Sequence, residues 1–157
     1  MDIDKRNQII SVVLFLMIVA MGYWLYRSIV GPYELVMEQR RQEAMVQLRM
    51  SNIRDALITY KNKKDGYPKE IDSLVAFLTT DSVMLAQGTN VFKEHALGYY
   101  KPDSLLYTPR TGSGKKFHYM LNDTLRPQVY VLIDPDNVKN VIGDSVKTTL
   151  LNAASWE

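Results

Sequence analysis

The chain contains no cysteine. Disulfides, cysteine-ligated zinc and a thiol nucleophile are thereby excluded, while the compartment stays open, because an oxidising one does not oblige a protein to use cysteine. Histidine is nearly as scarce: His95 and His118 stand far apart in dissimilar segments. No His-x-x-x-His, His-Glu or paired-carboxylate spacing arises that helix geometry would turn into a metal or acid–base site, and each histidine reads as an ordinary surface or half-buried side chain. An excess of one charge is also lacking. With 19 Lys+Arg against 17 Asp+Glu, the formal net charge is +2, too little to gather nucleic acid. Gly112-Ser113-Gly114-Lys115 resembles a phosphate loop only in passing, since that pattern needs a glycine where Pro109 stands and Ser or Thr where Lys116 stands. No nucleophile-elbow signature surrounds any serine. These absences predict a protein that is not an enzyme, with no catalytic residue, no resident cofactor, no nucleic-acid partner and no small-molecule substrate.

What is present is unevenly placed. The 157 residues suffice for one compact domain and an additional segment, and many of the apolar ones fall between Ile9 and Val30. From Ile9 to Tyr26 the chain reads IISVVLFLMIVAMGYWLY, 18 residues without a charge, which at about 1.5 Å per residue covers roughly 27 Å of hydrocarbon. Tyr23, Trp24 and Tyr26 cluster at one end with Arg27 beside them, the arrangement expected where a helix leaves acyl chains for headgroups. A transmembrane helix over residues 9–30 is therefore expected, behind a short N-terminal flank over 1–8, with the lipid bilayer as its first partner. The competing reading is a cleaved secretory signal: Lys5 and Arg6 precede the apolar run, and Ala20-Met21-Gly22 loosely fits a cleavage site. Cleavage there would leave Tyr23, Trp24 and Leu25 at a new terminus. Basic residues flank both ends, so charge does not orient the helix.

Beyond Gly31-Pro32 the composition is strongly helical, without glycine or proline until Gly66. Pro32 either opens this helix in its first turn or kinks one that continues from the membrane. Residues 31–44 read as a polar helical stalk, the Glu38–Glu43 stretch EQRRQE offering a solvated face. Val46, Met50, Ile53, Leu57 and Tyr60 then recur at spacings of 4, 3, 4 and 3, widened by Met45, Leu48 and Ala56. That stripe is expected to be the core of a domain over 45–157; a two-heptad coiled coil is the alternative. Lys61, Lys63 and Lys64 suit the helix C-terminus, and Asp65-Gly66 supplies a left-handed stop before Pro68. Ile71, Leu74, Val75 and Leu78 predict a short amphipathic helix ending near Thr80 or Asp81. From about residue 98 β-rich runs follow: Leu105–Tyr107, Lys116–Leu121 and Gln128–Ile133, with a turn at Asn122-Asp123. Gly143-Asp144 is expected to join a last hairpin, Val138–Ile142 with Ser145–Leu150, although Val146–Leu151 equally suits a helical turn.

This order of elements, with Pro32 near the membrane exit, Ala56-Leu57 and Tyr60 closing the long helix, Gly66-Tyr67-Pro68 after it, and a leucine-bearing helix from Ile71 to Leu78, resembles type IV pilin-like proteins, in particular the major pseudopilins of type II secretion systems. The resemblance covers roughly residues 30–80 and implies a pilin-like α+β fold in which the long helix packs on a small antiparallel sheet. It further implies a single-pass protein of the bacterial inner membrane, its domain periplasmic, acting as a non-catalytic structural or assembly subunit alongside other complex subunits or its own copies through helices. A tethered module that binds a partner through the exposed domain is the alternative. Two family features are missing: aligned on Pro32, the cleavage glycine would fall near Ile10 and the helix acid near Phe15, and no acidic residue lies between Asp4 and Glu34. Relatives of this kind bind calcium through a loop near the sheet, which makes Asp134, Asp136 and Asn137 calcium candidates here, although the EF-hand spacing is not met.

Overall fold

The computed structural model describes residues 3–81 and 102–157. Helix α1 runs without a break over Ile3–Lys64 and carries Pro32 inside it. Proline removes one backbone donor and crowds the preceding turn, yet the helix continues through it, so Pro32 lies within the helix and does not open it. The chain divides into two compact units, Met1–Arg41 and Gln42–Glu157. Among the described residues, only those of the second form a buried core.

Two short helices and a sheet complete that second unit: α2 (Ile71–Thr80), α3 (Pro102–Leu105), β1 (His118–Asn122), β2 (Val129–Ile133) and β3 (Val141–Gly143). The sheet is antiparallel in the order β1-β2-β3. Leu121 stands opposite Tyr130, and Leu132 opposite Ile142. Val46, Met50, Ile53, Ala56 and Leu57 of α1 are all fully buried and share one core with Leu74, Leu78, Tyr130, Leu132 and Ile142. The α1 stripe is thus covered by its own chain, as its periodicity predicts, and a coiled-coil seam is not needed to bury it. Each of the larger side chains, Val46, Met50, Ile53 and Leu57, contributes about 1.5–3 kcal/mol by leaving water, and an amphipathic helix draws most of its stability from such a face.

The left-handed stop after α1 falls within Asp65-Gly66, at Asp65 with φ 59°, while other local expectations change. Gly66 serves a different need: a side chain there would press on Gln128 Oε1, which accepts a hydrogen bond from the Tyr67 backbone N–H at 3.1 Å. Leu105–Tyr107 is not a strand. Pro102 opens a helical turn that runs to Leu105, and Leu105 and Leu106 are both buried; of the three residues only Tyr107 makes an isolated bridge, to Lys116. The final hairpin is also absent, because Thr148–Leu150 coils into a 3₁₀ turn. Ala154 bridges Ile142 in its place, the Gly143 N–H donates to the Ala153 carbonyl at 2.9 Å, and the Ser155 N–H donates to Val141 at 2.8 Å. Arg54 on α1 gathers this closing segment by donating to the Asn152 carbonyl and to both carboxylate oxygens of Glu157.

Gly143 sits at φ 82°, and a Cβ there would fall inside the envelope of the Tyr130 carbonyl oxygen. Gly143→Ala combines a disfavoured backbone with a clash across the β2–β3 pair, so a loss of more than about 2 kcal/mol is expected. Val138→Ala, at a position 76% exposed, should stay within about 0.5 kcal/mol. Urea unfolding of the detergent-solubilised chain measures both; equal midpoints would contradict the close approach.

Candidate functional site

Three groupings carry the chemistry of the described residues: the apolar end of α1, a tyrosine stack around Gly66-Tyr67-Pro68, and a charged network beside β2. In the first, α1 holds a stretch with a mean hydropathy of 2.3 over 18 residues, none of it buried by the protein. It is long and apolar enough to cross a membrane. Helices that are apolar on every face need an apolar surrounding, and among the described residues this one has none of its own. Tyr23, Trp24 and Tyr26 are well exposed on it, Trp24 at 74%, and Arg27 is exposed next to them, so the four residues expected at a membrane interface lie together at the end of the apolar stretch.

In the second, Tyr67 lies 4.9 Å from Tyr130 between ring centroids, and Tyr119 lies 5.9 Å from Tyr130. Tyr119 donates its hydroxyl to the Pro68 carbonyl at 2.8 Å, and Tyr130 donates to Asn152 Oδ1 at 2.7 Å. Tyr60 meets Phe77 of α2 edge-on at 5.0 Å. Ala56 and Leu57 are fully buried in the core, and Tyr60 is partly buried against it. Of the residues that carry the resemblance, Ala56, Leu57, Tyr60 and Gly66-Tyr67-Pro68 lie together where the end of α1 meets α2 and the sheet, whereas Pro32 lies in the first unit. Burial raises the pKa of Tyr67, Tyr119 and Tyr130 above the ordinary tyrosine value, because a phenolate would lose its hydration there.

The third grouping is the most polar. Asp134 is fully buried just after β2. Arg110 Nη2 lies 2.6 Å from Glu43 Oε2 and 2.9 Å from Asp134 Oδ2, so one guanidinium joins α1 to the sheet. Asn137 and Asn140 both donate side-chain N–H groups to Glu43 Oε1, and Asn140 also donates to Asp134 Oδ2. Asp136 pairs with Lys115 at 2.7 Å and accepts from the Ser113 hydroxyl; the Lys115 ammonium, then the Ser113 hydroxyl, hold its carboxyl below the usual range. The Gly112–Lys115 segment is consequently a turn whose lysine is engaged by Asp136. Both carboxylates named as calcium candidates face cations of the chain itself, and Asn137 turns its amide donor inward toward Glu43. Among the described residues no group of three or more His, Asp or Glu is disposed to hold a metal ion. His118 is exposed on β1, and His95 lies outside the described residues.

A further charge sits deeper. Arg49 is 5% exposed and donates to the carbonyls of Ser104 and Tyr107 at 3.2 and 2.8 Å, with burial lowering its pKa. Arg49 Nε and Asn52 Nδ2 are buried without a hydrogen-bond partner. A cleft of about 710 Å³ at the end of α1 is lined by Tyr60, Lys63, Phe77 and Asp81 among others, and its Lys63–Asp81 ion pair at 2.7 Å also ties α1 to the end of α2.

No protein-family profile, curated protein or solved structure matches this chain. A long N-terminal apolar helix followed by a small antiparallel sheet is compatible with a pilin-like fold, and the α+β class stands on the elements themselves. Sequence reasoning missed Arg110, Asn140 and Glu43 as a unit. Glu43 read as part of a solvated charge run and was assigned to the stalk, whereas the compact unit begins at Gln42 and takes Glu43 into its polar network.

An alkaline titration tests the tyrosine stack. The three raised pKa values mean that its contribution to stability is whole below the unfolded tyrosine value of about 10 and is lost as pH rises past it toward the folded values. Exposed tyrosines should therefore ionise first, and the tyrosinate absorbance of the buried three should rise only together with loss of far-ultraviolet circular dichroism. A single non-cooperative tyrosinate rise with the fold intact would contradict the burial.

Proposed function

We propose that the protein is a membrane-anchored structural or assembly subunit of an envelope complex, pseudopilin-like and non-catalytic, held in the bacterial inner membrane with its α+β domain on the periplasmic side. The observation that carries this reading is the division of labour along α1: an uncharged, uncovered apolar stretch toward its N-terminus and the core stripe of a folded unit toward its C-terminus. A helix built this way serves two solvents, lipid at one end and a protein interior at the other. Work done by such a molecule is placement of a domain near a bilayer. Its partners are the bilayer and other membrane subunits, met through helices.

A second reading is favoured by one specific feature. No acidic residue occurs between Asp4 and Glu34, so the intersubunit charge contact that the resembled family uses in polymerisation has no counterpart. A tethered accessory module that presents its domain to one partner needs no such contact.

Because the chain has no cysteine, Gln39→Cys gives a single thiol on an exposed turn of α1. Crosslinking from this position in intact cells is expected to give a ladder of self-adducts for an assembling subunit, whereas one foreign adduct would support the accessory module and sink the assembly reading. Retention of the full-length chain in membranes through an alkaline carbonate wash, and its digestion by protease added to spheroplasts, are both expected. Recovery in the wash would remove the anchor from the account, and protection from the protease would reverse the orientation.

A further inference from the structure

The loop that follows β2 concentrates negative charge where a metal would be the ordinary remedy. Glu43 and Asp134 meet there across Arg110, Asp136 pairs alongside with Lys115, and both aspartates fall in the segment Asp134-Pro135-Asp136-Asn137 that the resemblance would assign to calcium. The donor set argues otherwise. Calcium takes six to eight oxygen ligands, but the amide groups of Asn137 and Asn140 turn N–H donors toward Glu43, and the Asn137 oxygen is occupied by the Lys139 N–H at 3.2 Å. Positive charge is already at the centre: the Arg110 guanidinium, within 2.9 Å of carboxylates from both α1 and the loop, and the Lys115 ammonium at the rim. Both contacts are made by one nitrogen, Nη2, of a guanidinium that is permanently charged and carries two N–H donors there, enough for one carboxylate each.

We propose that Arg110 is the resident cation of this loop and stands in place of a divalent metal, bridging Glu43 and Asp134 so that the Asp134–Asn140 segment closes onto α1 without calcium. The Asp134 N–H to Asn140 carbonyl bond at 3.1 Å and the Asn140 N–H to Asn137 carbonyl bond at 2.9 Å give the segment its own turn. Arg110 supplies what that turn lacks, an attachment to the helix. The residues concerned are far apart in the chain, Glu43 and Arg110 by 67 positions, so the contact fastens one end of the domain's helix to the sheet. This inference rests on the network alone and holds under either reading of function.

The test is thermal unfolding, with hydrogen exchange of the Asp134–Asn140 amides, on the full chain in detergent, once in a calcium chelator and once in millimolar calcium. The unaltered protein should give the same Tm and the same protection in both. Arg110→Gln should lower Tm by roughly 5–15 °C, the range for stranding the buried Asp134 carboxylate, and speed exchange in the segment about tenfold or more. Arg110→Lys, which keeps the charge and loses the planar guanidinium, should fall between. Should calcium raise the unaltered protein's Tm by more than about 3 °C, as a ligand bound only by the native state does, or should the chelator strip protection from the segment, the proposal is overturned. It is overturned equally if Arg110→Gln leaves exchange there unchanged. Where Arg110→Gln does not fold, the calcium comparison on the unaltered chain decides alone.

Discussion

The burial of one helical stripe governs this molecule. Val46, Met50, Ile53, Ala56 and Leu57 present a continuous apolar face, and every other element of the second unit is placed by its need to cover that face. A three-stranded sheet with β3 only three residues long is too small to stand without a surface to lie on. The helix supplies it. Polar links then fix the register of sheet on helix: Arg110 at one end of the contact, Arg49 on the α3 turn, Arg54 on the closing segment and the tyrosine stack where α1 ends. Three arginines of differing burial reach from a helix or a loop to groups distant in sequence, which hydrophobic contact, being non-directional, does not do.

The two ends of α1 were legible in the sequence for the same reason, a periodicity or its absence that needs no knowledge of the rest. An uncharged run of 18 residues is long enough to cross a bilayer, and a 4-3-4-3 stripe marks one apolar face of a helix. Helix α2 and the β1–β2 pair were equally plain, since Leu74 and Leu78 keep helical spacing and the Val129–Ile133 run is bounded by polar turns. Short elements were less so. Leu105–Tyr107 has strand-like composition, but Pro102 is the stronger determinant because its fixed backbone favours the first turn of a helix. The segment 145–150 was open between hairpin and helical turn, and Asp144 tips it by accepting from the Val146 and Lys147 N–H groups at 2.8 and 2.9 Å.

The polar network was illegible for a different reason. Glu43 belongs by composition to a solvated charge run, and Arg110 sits in a glycine-containing turn; neither has a local signal that names the other. Only the packing of stripe against sheet brings them within 2.6 Å. The DPDN segment was recognisable as oxygen-rich, but whether a metal or a side chain balances such oxygens depends on a residue more than twenty positions away. Composition identified the anionic half of the pairing and left its counterpart unread.

The closing segment has a bearing on how this domain avoids unwanted company. An outer strand normally offers a row of unmet backbone groups on which a foreign chain can template itself. Here Ala153 to Ser155 already occupies the far side of β3, and Arg54 pins that occupant from behind. Strand addition is thereby denied at this rim, and a neighbour approaching it meets side chains, which can be selective, in preference to backbone, which cannot.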